Sequence, residues 1–296
     1  MGQARFSETP MLRDASPVLS LIAAVFVGSG AGFAQATLNQ PLPDPHALVL
    51  EVREHQKQVD TVRESYTYTS QQTVQDIDAR GKVTKTETSE NEDFFVNGHV
   101  IERTVKKNGQ PLNQHDEQKE TERVTKLVEK AEKTPPGQML EGPQVSISRI
   151  LDIMDLGTPR REAFHGRPTI VFDFVGRKDA KAHGLAEEAS KKLKGTIWID
   201  EADRQVAHLE VTFDDNFHVG GGLLANVQKG SNFRFDQAPV DGGLWLPTGG
   251  EGMIAARVLL LKNMRQHFAE RVYDYKRFKV DTQQIKDTRV AAGKQP

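Results

Sequence analysis

Cysteine is absent from the 296 residues. That excludes disulfides, thiolate metal sites and cysteine nucleophiles, and it leaves no thiol after an export signal through which a lipid could be attached. A marked excess of one charge sign is missing too. The 39 Lys and Arg face 41 Asp and Glu, a formal net charge of -2, which argues against a nucleic-acid partner. Long apolar runs are scarce: the most marked one, 17–27, falls far short of the roughly 20 residues that span a bilayer. Catalytic signatures are missing as well. There is no G-x-S-x-G elbow, H-E-x-x-H pair, phosphate-binding P-loop or dinucleotide glycine fingerprint.

What is present begins with that apolar run. Arg5 and Arg13 precede it, a Gly-Ser-Gly-Ala-Gly stretch follows it, and Ala34-Gln35-Ala36 closes the segment. Basic, apolar, then small is the order of a secretory signal peptide, so 1–36 is expected to be removed after Ala36, whether translation starts at Met1 or Met11. The mature chain is then expected to be periplasmic and soluble. Residues 37–281 are expected to form one domain, with a helical insertion at about 110–157, and 282–296 a flexible tail.

Hydrophobic periodicity predicts the elements. Asp44-Pro45 reads as a helix start, and Leu48, Val52, His55, Val59 and Val62 give the helix one apolar stripe. From 65 the pattern turns to strands, broken by Asp78-Ala79-Arg80-Gly81 and by Asn97-Gly98, a strong hairpin signal. A surface helix is predicted over 119–133, with Val124, Leu127, Val128 and Ala131 on one face. Another is predicted over about 144–156 and a short one over 180–193. Further strands are expected at 169–175, 195–200, 205–213, 227–235, 244–248, 252–262 and 266–280. The fold class is α+β and β-rich: a single curved antiparallel sheet wrapped around a few helices.

Candidate chemistry is thin. His218-Val219-Gly220-Gly221-Gly222 reads as a flexible hairpin loop rather than an oxyanion loop. Asp214-Asp215-Asn216 with His218 lacks the spacing of a calcium loop. His165 sits at an expected hairpin tip with no catalytic partner. No metal or other cofactor is expected, and no enzymatic activity. What remains is apolar strand surface. Phe172, Phe174, Leu209, Val211, Phe213, Phe233 and Phe235 alternate on their strands and are the candidate lining of a cavity for a hydrophobic ligand.

Gly195-Thr196-Ile197-Trp198-Ile199-Asp200, then Val206-Ala207-His208-Leu209-Glu210, carry a resemblance. So do Leu244-Trp245-Leu246-Pro247-Thr248 and Tyr273-Asp274-Tyr275-Lys276-Arg277-Phe278. The chain resembles the LolA-like group of exported proteins, related to periplasmic carriers that sort outer-membrane lipoproteins. The resemblance is clearest over about 160–280, and it transfers no site residue. It implies a half-barrel of antiparallel strands around helices, whose interior shelters a lipid or lipoprotein acyl chain on its way to the outer membrane. The alternative reading is an envelope sensor or protein-interaction module on the same fold without lipid transfer, with its surface or the 119–133 helix offered to an envelope protein.

Overall fold

The computed structural model describes residues 41–135, 140, 151–182, 184–240, 243–259 and 262–277. The expected signal segment 1–36 and tail 282–296 lie outside the described residues, as does most of the helix expected at 144–156.

The chain enters through helix α1, Pro45–Arg63, where the Asp44 side chain accepts from the Ala47 amide at 2.8 Å and Pro45 occupies the first turn. A meander follows: β1 Tyr66–Ile77, β2 Val83–Val96, β3 His99–Lys107 and β4 Gln110–Pro111. Asn97 and Gly98 turn β2 into β3 with φ of 50° and 80°, the backbone that favours this residue pair. Helix α2, Gln114–Lys133, is capped by Asn113, whose side chain accepts from the Asp116 amide. Then come β5 Met154–Leu156, β6 Arg160–Phe164, β7 Arg167–Gly176, the short α3 Leu185–Ser190, β8 Leu193–Asp200 and β9 Val206–Phe213. The last strands are β10 Phe217–Val219, β11 Ala225–Val227, β12 Asn232–Pro239, β13 Trp245–Val258 and β14 Lys262–Arg277.

All of these strands join one open antiparallel sheet of 14 strands, in the order β4-β3-β2-β1-β14-β13-β12-β9-β8-β7-β5. The last strand lies beside the first: β14 pairs β1 from Tyr66↔Arg277 to Asp76↔Gln266. Two meanders thereby become one surface. The hairpin β10–β11 attaches to the end of β13, and β6 extends the β7 edge. The β-rich class expected from the sequence is what the chain adopts.

Helix α2 starts at Gln114 and β14 at Lys262, earlier than the sequence reading, and four further departures have a cause in strand pairing or turns. Met154–Leu156 is a strand rather than the end of a helix, because its backbone pairs with Phe174 to Gly176. The two strands expected at 244–248 and 252–262 are one, β13, which runs straight through Gly249 and Gly250 because β12 and β14 pair with it on both sides. The strand expected at 227–235 is split into β11 and β12 by the turn at Gly230, whose φ is 88°. The helix expected at 180–193 shrinks to α3, because Leu193 already pairs with Phe213.

The two faces of the sheet are covered differently. Leu48 and Val52 of α1 pack with Leu151, Ile153, Ile170, Phe172, Ile197, Ile199 and Leu209 in the main core. Farther along α1, Val59 joins Tyr66 and Leu246 in a second cluster. Helix α2 serves the opposite face. Its Leu127 and Ala131 bury against Ile101, with Phe94, Val96, Val124 and Val128 around them, and Phe94 leaves β2 on the side opposite to its neighbours Asp93 and Phe95.

Candidate functional site

The residues singled out from the sequence all lie on the α1 face. Strand register brings them into rows: Leu209 opposes Ile197 and Phe235, and Val211 opposes Phe233. Phe172, Phe174, Leu209 and Val211 are buried, at 0%, 4%, 2% and 2% exposure, and are part of the main core. Phe213, Phe233 and Phe235 are only half-buried and pack against its edge. The same rows continue over β13 and β14, where Phe235 opposes Gly250 and Phe233 opposes Gly252. Gly252 in turn opposes Phe268, so a fourth half-buried ring joins the row. A side chain at 252 would meet the Asn232 carbonyl, the Phe268 ring at 2.6 Å and Phe233 Cβ at 2.8 Å, so the missing Cβ is what lets the Phe268 ring lie against the strand. At Gly250 beside it a side chain would stand 3.1 Å from the Arg234 carbonyl, itself a tight contact. The result is a shallow apolar floor edged by phenylalanines that the core does not seal.

Beyond Phe268 the same face becomes polar. Glu270 accepts from the Gln72 amide at 3.1 Å, and Gln72 reaches Glu102 at 3.3 Å. Asp93, on β2 opposite Tyr68, is 2% exposed, and neither of its carboxylate oxygens has a well-formed hydrogen bond. Burial pushes the Asp93 carboxyl up to about 7; nearby Ser70 works against the rise, and Glu102 and Glu270 reinforce it. Burial also raises Glu270, opposed by its bond from Gln72. The Tyr68 and Tyr275 rings lie 5.1 Å apart, tilted by 40°, and the Arg63 guanidinium lies 5.4 Å over Phe95. The aromatic corner of this acidic end is therefore occupied by the protein's own cation.

The opposite face carries a cavity of about 450 Å³ over the middle of the sheet. Phe164 and His165, at the tip of the β6–β7 hairpin, form one wall; Arg234, Asp236, Glu251 and Arg271 form the others. Under the wall lies His208, 6% exposed, stacked on Phe164 at 4.9 Å and edge-on to Trp198 at 4.8 Å. Its Nδ1 is 2.6 Å from Asp236 and its Nε2 is 3.1 Å from Glu210. Burial alone would lower the His208 pKa, but the bonds to the two carboxylates outweigh it and raise the value above the ordinary 6.5. With both nitrogens engaged, the ring has none left to take a proton from a ligand in the cavity. Through its contact with Asp236 the ring ties β9 to β12. Sequence alternation places His208 and Glu210 on one side of β9, but their partner Asp236 depends on the β9–β12 register, which no local signal gives.

The other residues weighed from the sequence are spent on neighbours. Asp214 pairs with Lys194 at 2.7 Å and Asp215 with Lys192 at 3.0 Å, while the Asn216 side chain accepts from the Lys229 amide. His165 has a φ of 47° and lies edge-on to Phe164. Among the described residues no helix is long and apolar enough to cross a membrane. No family model matches this chain, and a search of curated proteins returns no match.

Proposed function

We propose that the chain is a non-enzymatic, exported carrier that binds a lipid or lipoprotein acyl chain on the α1 face of its sheet. In this reading the sheet is the wall of a LolA-like half-barrel, and the carrier moves its cargo through the periplasm toward the outer membrane. The observation that supports it is the row of Phe213, Phe233, Phe235 and Phe268, half-buried around the glycine floor of β13. Aromatic rings left partly in water at the edge of a core are costly, and an acyl chain laid across them would recover that cost. Each methylene withdrawn from water is worth about 0.8 kcal/mol, so a few turns of chain suffice for useful affinity.

The interaction-module alternative would use α2. Its narrow apolar stripe, however, is already placed against Ile101 and Phe94, and the remaining faces of the helix are charged. The acyl-carrier reading is therefore the better supported. It is tested by gentle purification followed by native mass spectrometry and solvent extraction. The expected result is co-purifying lipid that is lost in Phe235→Glu while the circular dichroism of the variant stays that of the parent. A ligand-free protein that also takes up no hydrophobic probe would overturn it.

A further inference from the structure

The β10–β11 hairpin ends in an apolar tip that the proposed carrier function does not use. Leu223, Leu224 and Leu259 are 62%, 56% and 64% exposed. They are adjacent, because the Leu259 amide donates to the Leu224 carbonyl at 3.0 Å and Ala225 opposes Val258. They are also held rather than left loose. The Leu223 and Leu224 amides donate to the carbonyls of Gly220 and Val219, each at 3.2 Å. Gly220, Gly221 and Gly222 have φ of 59°, 64° and 88°, and a side chain at 220 would meet Leu224 Cγ at 2.8 Å. Leu259 itself has a φ of 49°, a backbone conformation that leucine rarely adopts. A fold that uses glycines and a strained leucine to keep apolar side chains in water is presenting them to something.

The surroundings of the tip say what. Segments 216–235 and 252–269 contain no Asp or Glu, yet they hold His218, Lys229, Arg234, Arg257, Lys262, Arg265 and His267. Arg257, Lys262 and Arg265 are exposed and make no ion pair with a described residue. Arg257 and Lys262 flank Leu259 directly, since Val258 opposes Lys262 and Arg257 opposes Asn263, and Arg265 follows on β14 opposite Ala255. Carboxylates on neighbouring segments are already engaged: Asp214 by Lys194 and Lys229, and Asp76 by Gln266. Leucines ringed by unpaired cations match a surface that is apolar beneath and anionic on top. A second copy of the chain fits poorly. The cationic collars would repel, and three leucines supply far less than the roughly 800 Å² that each partner buries in a stable interface.

We propose that this tip docks on an anionic lipid surface. Leu223, Leu224 and Leu259 enter the headgroup boundary, and Arg257, Lys262 and Arg265 meet the lipid phosphates. The inference is independent of any cargo on the α1 face.

The absence of cysteine makes the test position-specific. An environment-sensitive fluorophore is attached at Leu223→Cys, or at Ala202→Cys in the β8–β9 turn at the other end of the strands, in the full chain. Each protein is mixed with vesicles of phosphatidylglycerol and phosphatidylcholine, or of phosphatidylcholine alone. Reading one position at a time keeps the apolar segment 17–27, which can itself bring the chain to vesicles, from being mistaken for the tip. The expected result is a blue shift at 223 and none at 202, seen with the anionic vesicles and weakened about tenfold by Arg257→Glu with Lys262→Glu. In the labelled Leu223→Cys protein, replacing Leu224 by Ser should weaken the same signal severalfold. No shift at 223, an equal shift at both positions, or an equal shift on neutral vesicles would overturn the proposal. A concentration-dependent shift at 223 without vesicles would overturn it in favour of self-association.

Discussion

Two titrating side chains on opposite faces of the sheet carry predictions of their own. Asp93 holds its proton more tightly in the fold than in the open chain, about 7 against 3.8. For an acid shifted upward, the native state is favoured while the group is protonated. That advantage is complete below about pH 4 and is lost as the pH rises to about 7. Asp93→Asn should therefore melt about 3 °C or more above the parent at pH 8 and close to it at pH 4, since 1 kcal/mol moves the Tm of a domain this size by ~2–4 °C. Thermal melts across that range check it; a variant less stable at pH 8 would show that the carboxylate is needed ionised. His208 has the opposite chemistry and the same direction. As a base with a raised pKa, it stabilises the fold fully below about 6.5, and that contribution fades as the pH passes above its native value. Asp236→Asn should lower the His208 titration midpoint seen by NMR and cost stability at pH 6 more than at pH 9. A midpoint that does not move would mean that the 2.6 Å contact does not persist in solution.

At the scale of elements, glycine does structural work in strand interiors rather than only in turns. Gly195 lies where a side chain would meet the Glu210 carbonyl at 1.9 Å and the Phe174 ring at 2.8 Å. Neither the paired backbone nor the buried ring can move away, so Gly195→Ala should destabilise the fold by about 3 kcal/mol or more in chemical denaturation. A change below ~1 kcal/mol would mean that β8 and β9 are farther apart than described. Legibility at this scale followed the locality of the signal. The Asp44 cap, the Asn97-Gly98 turn and the apolar stripe of α2 are set by residues a few positions apart, and they could be read directly. The continuity of β13 through Gly249 and Gly250 could not, because two flanking strands impose it from outside the segment. The change from helix to strand at Met154–Leu156 has the same origin: an apolar run suits either state, and its pairing with β7 decided.

At the scale of the molecule, the pairing of the first strand with the last makes one sheet out of two meanders. Sequence order suggested the meanders, and alternation assigned Leu209, Val211, Phe213, Phe233 and Phe235 to a common side. No local signal, however, shows that β14 lies beside β1, or that the shared face runs from an apolar half to an acidic half ending at Asp93, Glu102 and Glu270. The same limit hid the His208–Asp236 contact. The division of the α1 face is central to the carrier reading, because it assigns an acyl chain to the phenylalanine half and excludes it from the carboxylates. A photoactivatable fatty acid carrying its diazirine near the chain end tests this most directly, with cross-linked peptides identified by mass spectrometry. The account predicts labelling in β9, β12 and β14 at and around Phe213, Phe233, Phe235 and Phe268, competed away by unlabelled fatty acid. Labelling concentrated at Phe164, Arg234 and Arg271 in the opposite cavity, or none that a competitor removes, would contradict it.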